Sequence, residues 1–463
     1  MGLILNYSKC ELIAHPKFHI HENSVLRSFQ RVDVQDASLL GAPLFSGPSL
    51  DATWSQRCED LSRAVDRLKN IGAQEALILL RASFSAPRVL HLLRCSPSMD
   101  HPALQIFDSQ LRSAVCHIAN VQLSDIQWLQ ASLPVRDGGL GVRQVALLAI
   151  PAFLASAAST LPLQDTVLMD CPWLCTQNFS FVEYLAIWTS TFGNPPEPFP
   201  SKQSFWDAPV VASARTRVES SLAEPFQAAV FKAAASRHSG AWLHALPIAS
   251  CGLKLDDEAV RVAVCLRLGL EVCIPHPCRC GAQVDARGLH SFCCKQASGR
   301  SSRHHVLNDL VARAFASAGT PVVKEPVGLS RQDGKRPDGL TLIPFAGGKA
   351  MIWDVTVVCS TADSYIDLAV QGAGCVAEMA ASRKESKYTN LQNHYLFQPI
   401  AVETLGPINE SACCFLDDLG RRISLYSNDV RERSFLYQRI SVAIQRFNAI
   451  LLHDSFVFDE HQD

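Results

Sequence analysis

Arg336-Pro337-Asp338-Gly339-Leu340-Thr341-Leu342-Ile343, the turn Ala346-Gly347-Gly348-Lys349, and Ala350-Met351-Ile352-Trp353-Asp354-Val355-Thr356-Val357-Val358 form the stretch that decides the fold. Two β-rich runs around a glycine turn read as a hairpin. Pro337 fixes the backbone just ahead of Asp338 and limits where that carboxylate can point. Asp354 is the one acid in an apolar, β-branched run. A carboxylate taken out of water there has to be paired or to coordinate a metal. Folding the chain symmetrically about Gly347-Gly348 sets Asp338 opposite Val357, not Asp354, so bringing the two acids together needs an asymmetric loop or a bulge. Oxygen ligands suit Mg²⁺ or Mn²⁺, which polarise a phosphate and lower the pKa of an attacking water. Downstream, the amphipathic segment from Val376 to Tyr388 carries Lys384 and Lys387, either of which can face charge developing on a phosphate. Glu325, in Val322-Val323-Lys324-Glu325-Pro326, is a third candidate acid.

Ahead of this hairpin, Cys278-Arg279-Cys280-Gly281 places two thiols on one tight turn, with Gly281 free to take positive φ. His290 and Cys294 follow at helical spacing. Three thiols and an imidazole make a closed tetrahedral zinc set of the structural kind. The first pair is C-x-C, a less common spacing than C-x-x-C, and Cys273 and Cys293 are alternative ligands. Lys295, Arg300, Arg303, His304 and His305 come next, around the start of a helix expected from about His305 to Ala318. There they can contact phosphates, and Arg336 adds a further cation beside the Asp338 turn.

The chain of 463 residues is long enough for two to four units. With 48% hydrophobic and 19% charged residues it is a folded protein with substantial cores. A net charge of -2 excludes a protein that is basic all over and leaves room for a local basic patch. Seventeen cysteines, an odd number with no secretory leader, favour reduced thiols over a disulfide framework. The apolar run from Val145 to Leu163, interrupted by Pro151, reads as a buried helix and not a membrane span, which takes ~20 apolar residues. Amphipathic helical periodicity runs from about Asp51 to Leu133, with Leu61, Ala64, Val65 and Leu68 on one face. Gly193-Asn194-Pro195-Pro196-Glu197-Pro198-Phe199-Pro200 reads as an extended linker, and helices resume from about Val210 to Leu270.

Cys278, Cys280, His290 and Cys294, then Arg336-Pro337-Asp338, Asp354 and Lys384-Glu385-Ser386-Lys387-Tyr388, stand in an order that resembles the C-terminal half of non-LTR retrotransposon proteins carrying a restriction-like endonuclease. The resemblance implies a PD-(D/E)xK nuclease core that nicks DNA for target-primed reverse transcription. It implies Asp338, Asp354, Lys384 and Lys387 as catalytic residues, Mg²⁺ or Mn²⁺ at that site and structural zinc in the knuckle. DNA, the element's RNA and a nuclear location follow from the same likeness. Thr356 stands where a D-x-K lysine would be, so the lysine comes from the later helix, as in that family. Gly2-Leu3-Ile4-Leu5-Asn6-Tyr7-Ser8-Lys9-Cys10 resembles the segment after the polymerase aspartates of a reverse transcriptase, Leu39-Leu40-Gly41 its primer-grip strand, and the following helices its thumb. No Tyr-x-Asp-Asp occurs in the chain, so polymerase activity is not expected. The expected fold is therefore α/β and α-helical multidomain: a palm remnant (1–50), a helical thumb-like region (51–190), a helical linker region (191–270), a zinc knuckle (271–300) and an α/β endonuclease domain (301–463). The alternative is a non-catalytic nucleic-acid-binding remnant of such a protein.

Overall fold

Along Met351–Val358 the side chains alternate, as a strand requires. Met351, Trp353 and Val355 enter one core, while Asp354 turns to the opposite face. This is a computed structural model that describes residues 5–14, 19–22, 24–168, 179–329 and 336–456. Gly2–Ile4, read above, lie outside those residues. The chain is mixed and mostly helical with small sheets, and it divides into two compact units, neither continuous in sequence.

The first unit comprises 1–70, 79–114 and 142–213. Its N-terminal part holds short paired strands, Glu11–Ile13 with Gln30–Val32 and Ser38–Leu39 with Ala42–Pro43. Leu39-Leu40-Gly41, read above as a strand, is broken at Leu40 and Gly41, both at positive φ, which form the turn of a two-stranded hairpin. Leu61, Ala64 and Leu68 are buried along the helix Pro48–Leu68, as their spacing predicts. Phe153, Leu154, Tyr184, Trp188 and Trp206 form an aromatic core. The proline-rich segment 193–200 is irregular, and it is tied into this core. Phe199 packs edge-on against Phe181, and the carbonyl of Pro200 accepts from the Trp206 indole. Two stretches, Ala73–Cys95 and Val145–Gln164, are apolar and long enough to cross a membrane by composition. In the second, Ala152, Phe153 and Leu154 are buried in protein.

The second unit comprises 71–78, 115–141 and 214–463. Its sheet is built from β1 (Val322–Lys324), β2 (Gly339–Thr341), β3 (Met351–Val358) and β4 (Leu396–Glu403), in spatial order β4-β3-β2-β1. The first three are antiparallel neighbours, and β4 runs parallel to β3. A parallel partner requires a crossover, which Ile366–Gln371 and α2 (Cys375–Lys387) supply. Three helices cover the other face: α1 (Gly299–Ser317), α3 (Glu410–Ser427) and α4 (Glu432–His453). Leu307 and Phe315 of α1, Phe415 of α3 and Ile440 of α4 meet Trp353, Ile400 and Val402 there. On the α2 face, Ala377, Ala380, Ala381 and Ala401 are small enough to bring α2 down onto the sheet. Helix α1 begins six residues before the position expected for it, so Arg300, Arg303 and His304 are helical.

Gly339 lies under the Trp353 indole. A Cβ there would come within 1.9 Å of a ring carbon. The ring is fully buried and its Nε1 donates to Asn308 Oδ1 at 2.8 Å, so it cannot step aside. Gly339→Ala is expected to lower stability by about 3 kcal/mol through overpacking, read as a lower midpoint of urea unfolding at unchanged slope.

Candidate functional site

The hairpin register settles where the two acids meet. Gly339 pairs with Trp353 and Leu340 with Ile352, and the ladder ends there, with Asp338 just outside β2. The Asp338 amide donates to the Trp353 carbonyl at 2.9 Å, one residue out of that register, so the chain steps as at a bulge where Asp338 comes beside Trp353 and Asp354. The symmetric fold about Gly347-Gly348 is thus displaced by three residues. Thr341 is the cause: its hydroxyl accepts from the Met351 amide at 2.9 Å and donates to the Ile343 carbonyl at 2.8 Å, ending β2 early. The excess chain is taken up between 342 and 350, with a small turn closed by an Ala346–Lys349 bridge.

Asp338 is held from several sides. One carboxylate oxygen accepts from the Val355 amide at 2.6 Å and contacts His304 Nε2 at 3.0 Å. Its carbonyl accepts from Asn308 Nδ2 at 3.1 Å and from the Glu325 amide at 3.0 Å. Asn308 therefore fixes both Trp353 and the backbone of Asp338. The hydrogen bond to Asp338 raises the His304 pKa above its usual value, against the opposing effect of burial.

Asp354 is almost fully buried, and Lys384 Nζ lies 2.5 Å from its Oδ1. Burial raises the Asp354 pKa, the Asp338 charge raises it further, and Lys384 and Tyr388 oppose both. Lys387 lies instead over the Tyr388 ring, its Nζ 4.9 Å from the centroid. The Tyr388 hydroxyl donates to the Arg336 carbonyl at 3.0 Å. The Glu325 side chain pairs with Arg336 on the surface. The structure thus puts Asp338, Asp354 and Lys384 together, and directs Lys387, Glu325 and Arg336 to other partners.

Because Asp354 is more easily protonated in the fold than in the unfolded chain, its contribution to stability is complete below the unfolded value near 3.9. It is lost as pH rises through the raised folded value. Lys384→Met removes the charge that limits this loss. The variant is expected to match the native protein near pH 4 and to be about 3 kcal/mol less stable near pH 8, measured by thermal or urea unfolding across that range.

Lys295, Arg300, Arg303, His304 and Lys384 line a polar cavity of about 400 Å³. Arg300 Nη1 lies 3.4 Å from the carbonyls of Cys293 and Cys294, linking this cavity to the knuckle.

In the knuckle, a short hairpin (His276–Pro277 with Gln283–Val284) presents Cys278 and Cys280, and the helix Leu289–Cys293 presents His290, with Cys294 at its C-terminal end. Gly281 takes φ 87°, as its place in the turn requires. The ligand atoms of Cys278, Cys280, His290 and Cys294 all lie within 4.8 Å of one another. Cys278 and Cys294 sulfurs are 3.8 Å apart, the separation that tetrahedral Zn–S bonds of about 2.3 Å impose. The Ala282 amide, with smaller help from His290, brings the Cys280 thiol down to about 7, toward the thiolate that binds metal. This donor set can hold zinc. Cys273 and Cys293 donate to backbone carbonyls instead, Cys273 to Asp285 at 3.3 Å and Cys293 to His290 at 3.4 Å. The knuckle is seated on the end of α4 by His276, bonded to Ser455 at 2.8 Å and stacked on Phe456.

From sequence His304 reads as a phosphate contact, whereas the structure sets it on Asp338; Asn308 has no role there. No protein-family profile matches the chain, and no curated protein matches it.

Proposed function

We propose that the second unit is a metal-dependent DNA endonuclease with a PD-(D/E)xK-like core, part of a retroelement-derived protein whose first unit is a polymerase palm-and-thumb remnant. The observation that carries this reading is the cluster of Asp338, whose carboxylate accepts from the Val355 amide beside Asp354, with Asp354 and the Lys384 paired to it. The Asp338 charge acts on Asp354 and raises its pKa, as carboxylates near enough to share one ion do. Asp338 and Asp354 would hold Mg²⁺ or Mn²⁺, which when bound activates water and neutralises charge on the phosphate. Lys384 exchanges its pairing with Asp354 for the phosphate oxygens. His304 orients Asp338, and protonated His304 competes with a cation for it. Asn308 and Val355 keep the Asp338 carboxylate aimed at its neighbour without a side-chain rearrangement.

DNA is the substrate in this reading, with the element's RNA as a second partner and the nucleus as the place of action. The full chain incubated with supercoiled plasmid and Mg²⁺ or Mn²⁺ is expected to yield nicked circles, and chelation is expected to stop it. Salt-dependent DNA binding without nicking would instead establish the non-catalytic binding remnant.

A further inference from the structure

Arg303 is 2% exposed, yet its Nε and Nη1 have no hydrogen-bond partner. Buried guanidinium groups are ordinarily paired, because an unpaired one keeps its desolvation cost with nothing to offset it. Burial pushes its pKa down to about 10, against an opposing effect of Cys359. It remains a cation at neutral pH. The group sits in the wall of the 400 Å³ cavity, among Lys295, Arg300, His304, His305 and Lys384. Among the described lining residues no carboxylate appears, and the charged ones are all cations. Its Lys384 edge is the residue paired with Asp354, and its His304 edge is the residue paired with Asp338.

We infer that this cavity is an anion socket in which Arg303 grips a phosphate of the DNA strand, one next to the phosphate to be cut. A planar donor fork suits phosphate oxygens, and a phosphate seated there would supply the acceptor that Arg303 lacks. The identification of the strand rests on the nuclease reading. The socket itself rests on Arg303. Helical spacing explains the burial: Arg303 stands four residues before Leu307 and eight before Val311, on the stripe that faces the core.

The test uses the full zinc-loaded chain, with inorganic phosphate as the first probe in isothermal calorimetry. A short DNA duplex is the second, followed across a salt series. Arg303→Met keeps the side chain long and removes a buried charge, so the fold is expected to persist, as checked by circular dichroism and zinc content. Arg303→Lys retains charge without the fork. The native protein is expected to bind phosphate, Arg303→Lys more weakly, and Arg303→Met at least about tenfold more weakly than the native protein. For the duplex, the slope of log affinity against log salt falls by about one in Arg303→Met. A native protein that ignores phosphate, or an Arg303→Met variant with native phosphate affinity and native salt slope, overturns the socket. Phosphate binding through Arg303 in a protein that never nicks DNA upholds the socket and removes the nuclease reading. Nicking with no Arg303-dependent phosphate response does the reverse.

Discussion

On the proposed nuclease reading, Asp354→Asn is expected to lower metal-dependent nicking by on the order of 10³-fold while leaving the protein as stable as before or more so. The two effects have one origin. Asp354 is buried and its pKa is raised by burial and by Asp338, so its negative charge is costly to keep. Asparagine has nearly the same shape and removes that charge, leaving Lys384 beside a neutral amide. A purely structural aspartate would behave differently, because losing its ion pair would destabilise the fold. Asp338→Asn is expected to lose nicking to a similar degree. It can still accept from Val355 through its amide oxygen, so its folded structure is retained. Nicking rates of both variants, set beside their unfolding midpoints, separate catalysis from architecture.

Zinc removal is the second large effect. Structural zinc sites in small modules hold the ion with an apparent free energy on the order of 10 kcal/mol. The knuckle has little else to hold it: its own core is Cys278, Val284 and Cys294. One zinc per chain is expected by elemental analysis, lost in Cys278→Ser or Cys294→Ser. Without it, backbone amides between 273 and 294 should exchange with solvent much faster, while β3 and β4 keep their protection. Because Arg300 bonds the carbonyls of Cys293 and Cys294, loss of zinc should also weaken DNA binding through the adjoining cavity.

The parts legible in the sequence were those fixed by short spacing. Cys278, Cys280, His290 and Cys294 fall within one short stretch, and the structure brings their ligand atoms together. Asp354 was legible as an acid in an apolar strand, and Lys384 as a cation on the next helix. The register of the hairpin was not. It depends on the Thr341 hydroxyl ending β2, and a threonine in a β-branched run gives no sign of that. His304 and Asn308 act on Asp338 from more than thirty residues away or close to it, a distance no local pattern encodes. Arg303 reads as a phosphate contact just ahead of the helix, because Gly299-Arg300-Ser301-Ser302-Arg303 lacks apolar residues. The helix begins there all the same, carried by the stripe of Leu307, Val311 and Phe315 beyond it.

The central claim is that Asp338 and Asp354 share one divalent ion, and electron paramagnetic resonance of Mn²⁺ titrated into the full zinc-loaded chain tests it most directly. The account predicts a single bound Mn²⁺ that is lost in Asp338→Asn and in Asp354→Asn and kept in Arg303→Met. Bound Mn²⁺ undiminished in both aspartate variants, or no bound Mn²⁺ in the native protein, would contradict it.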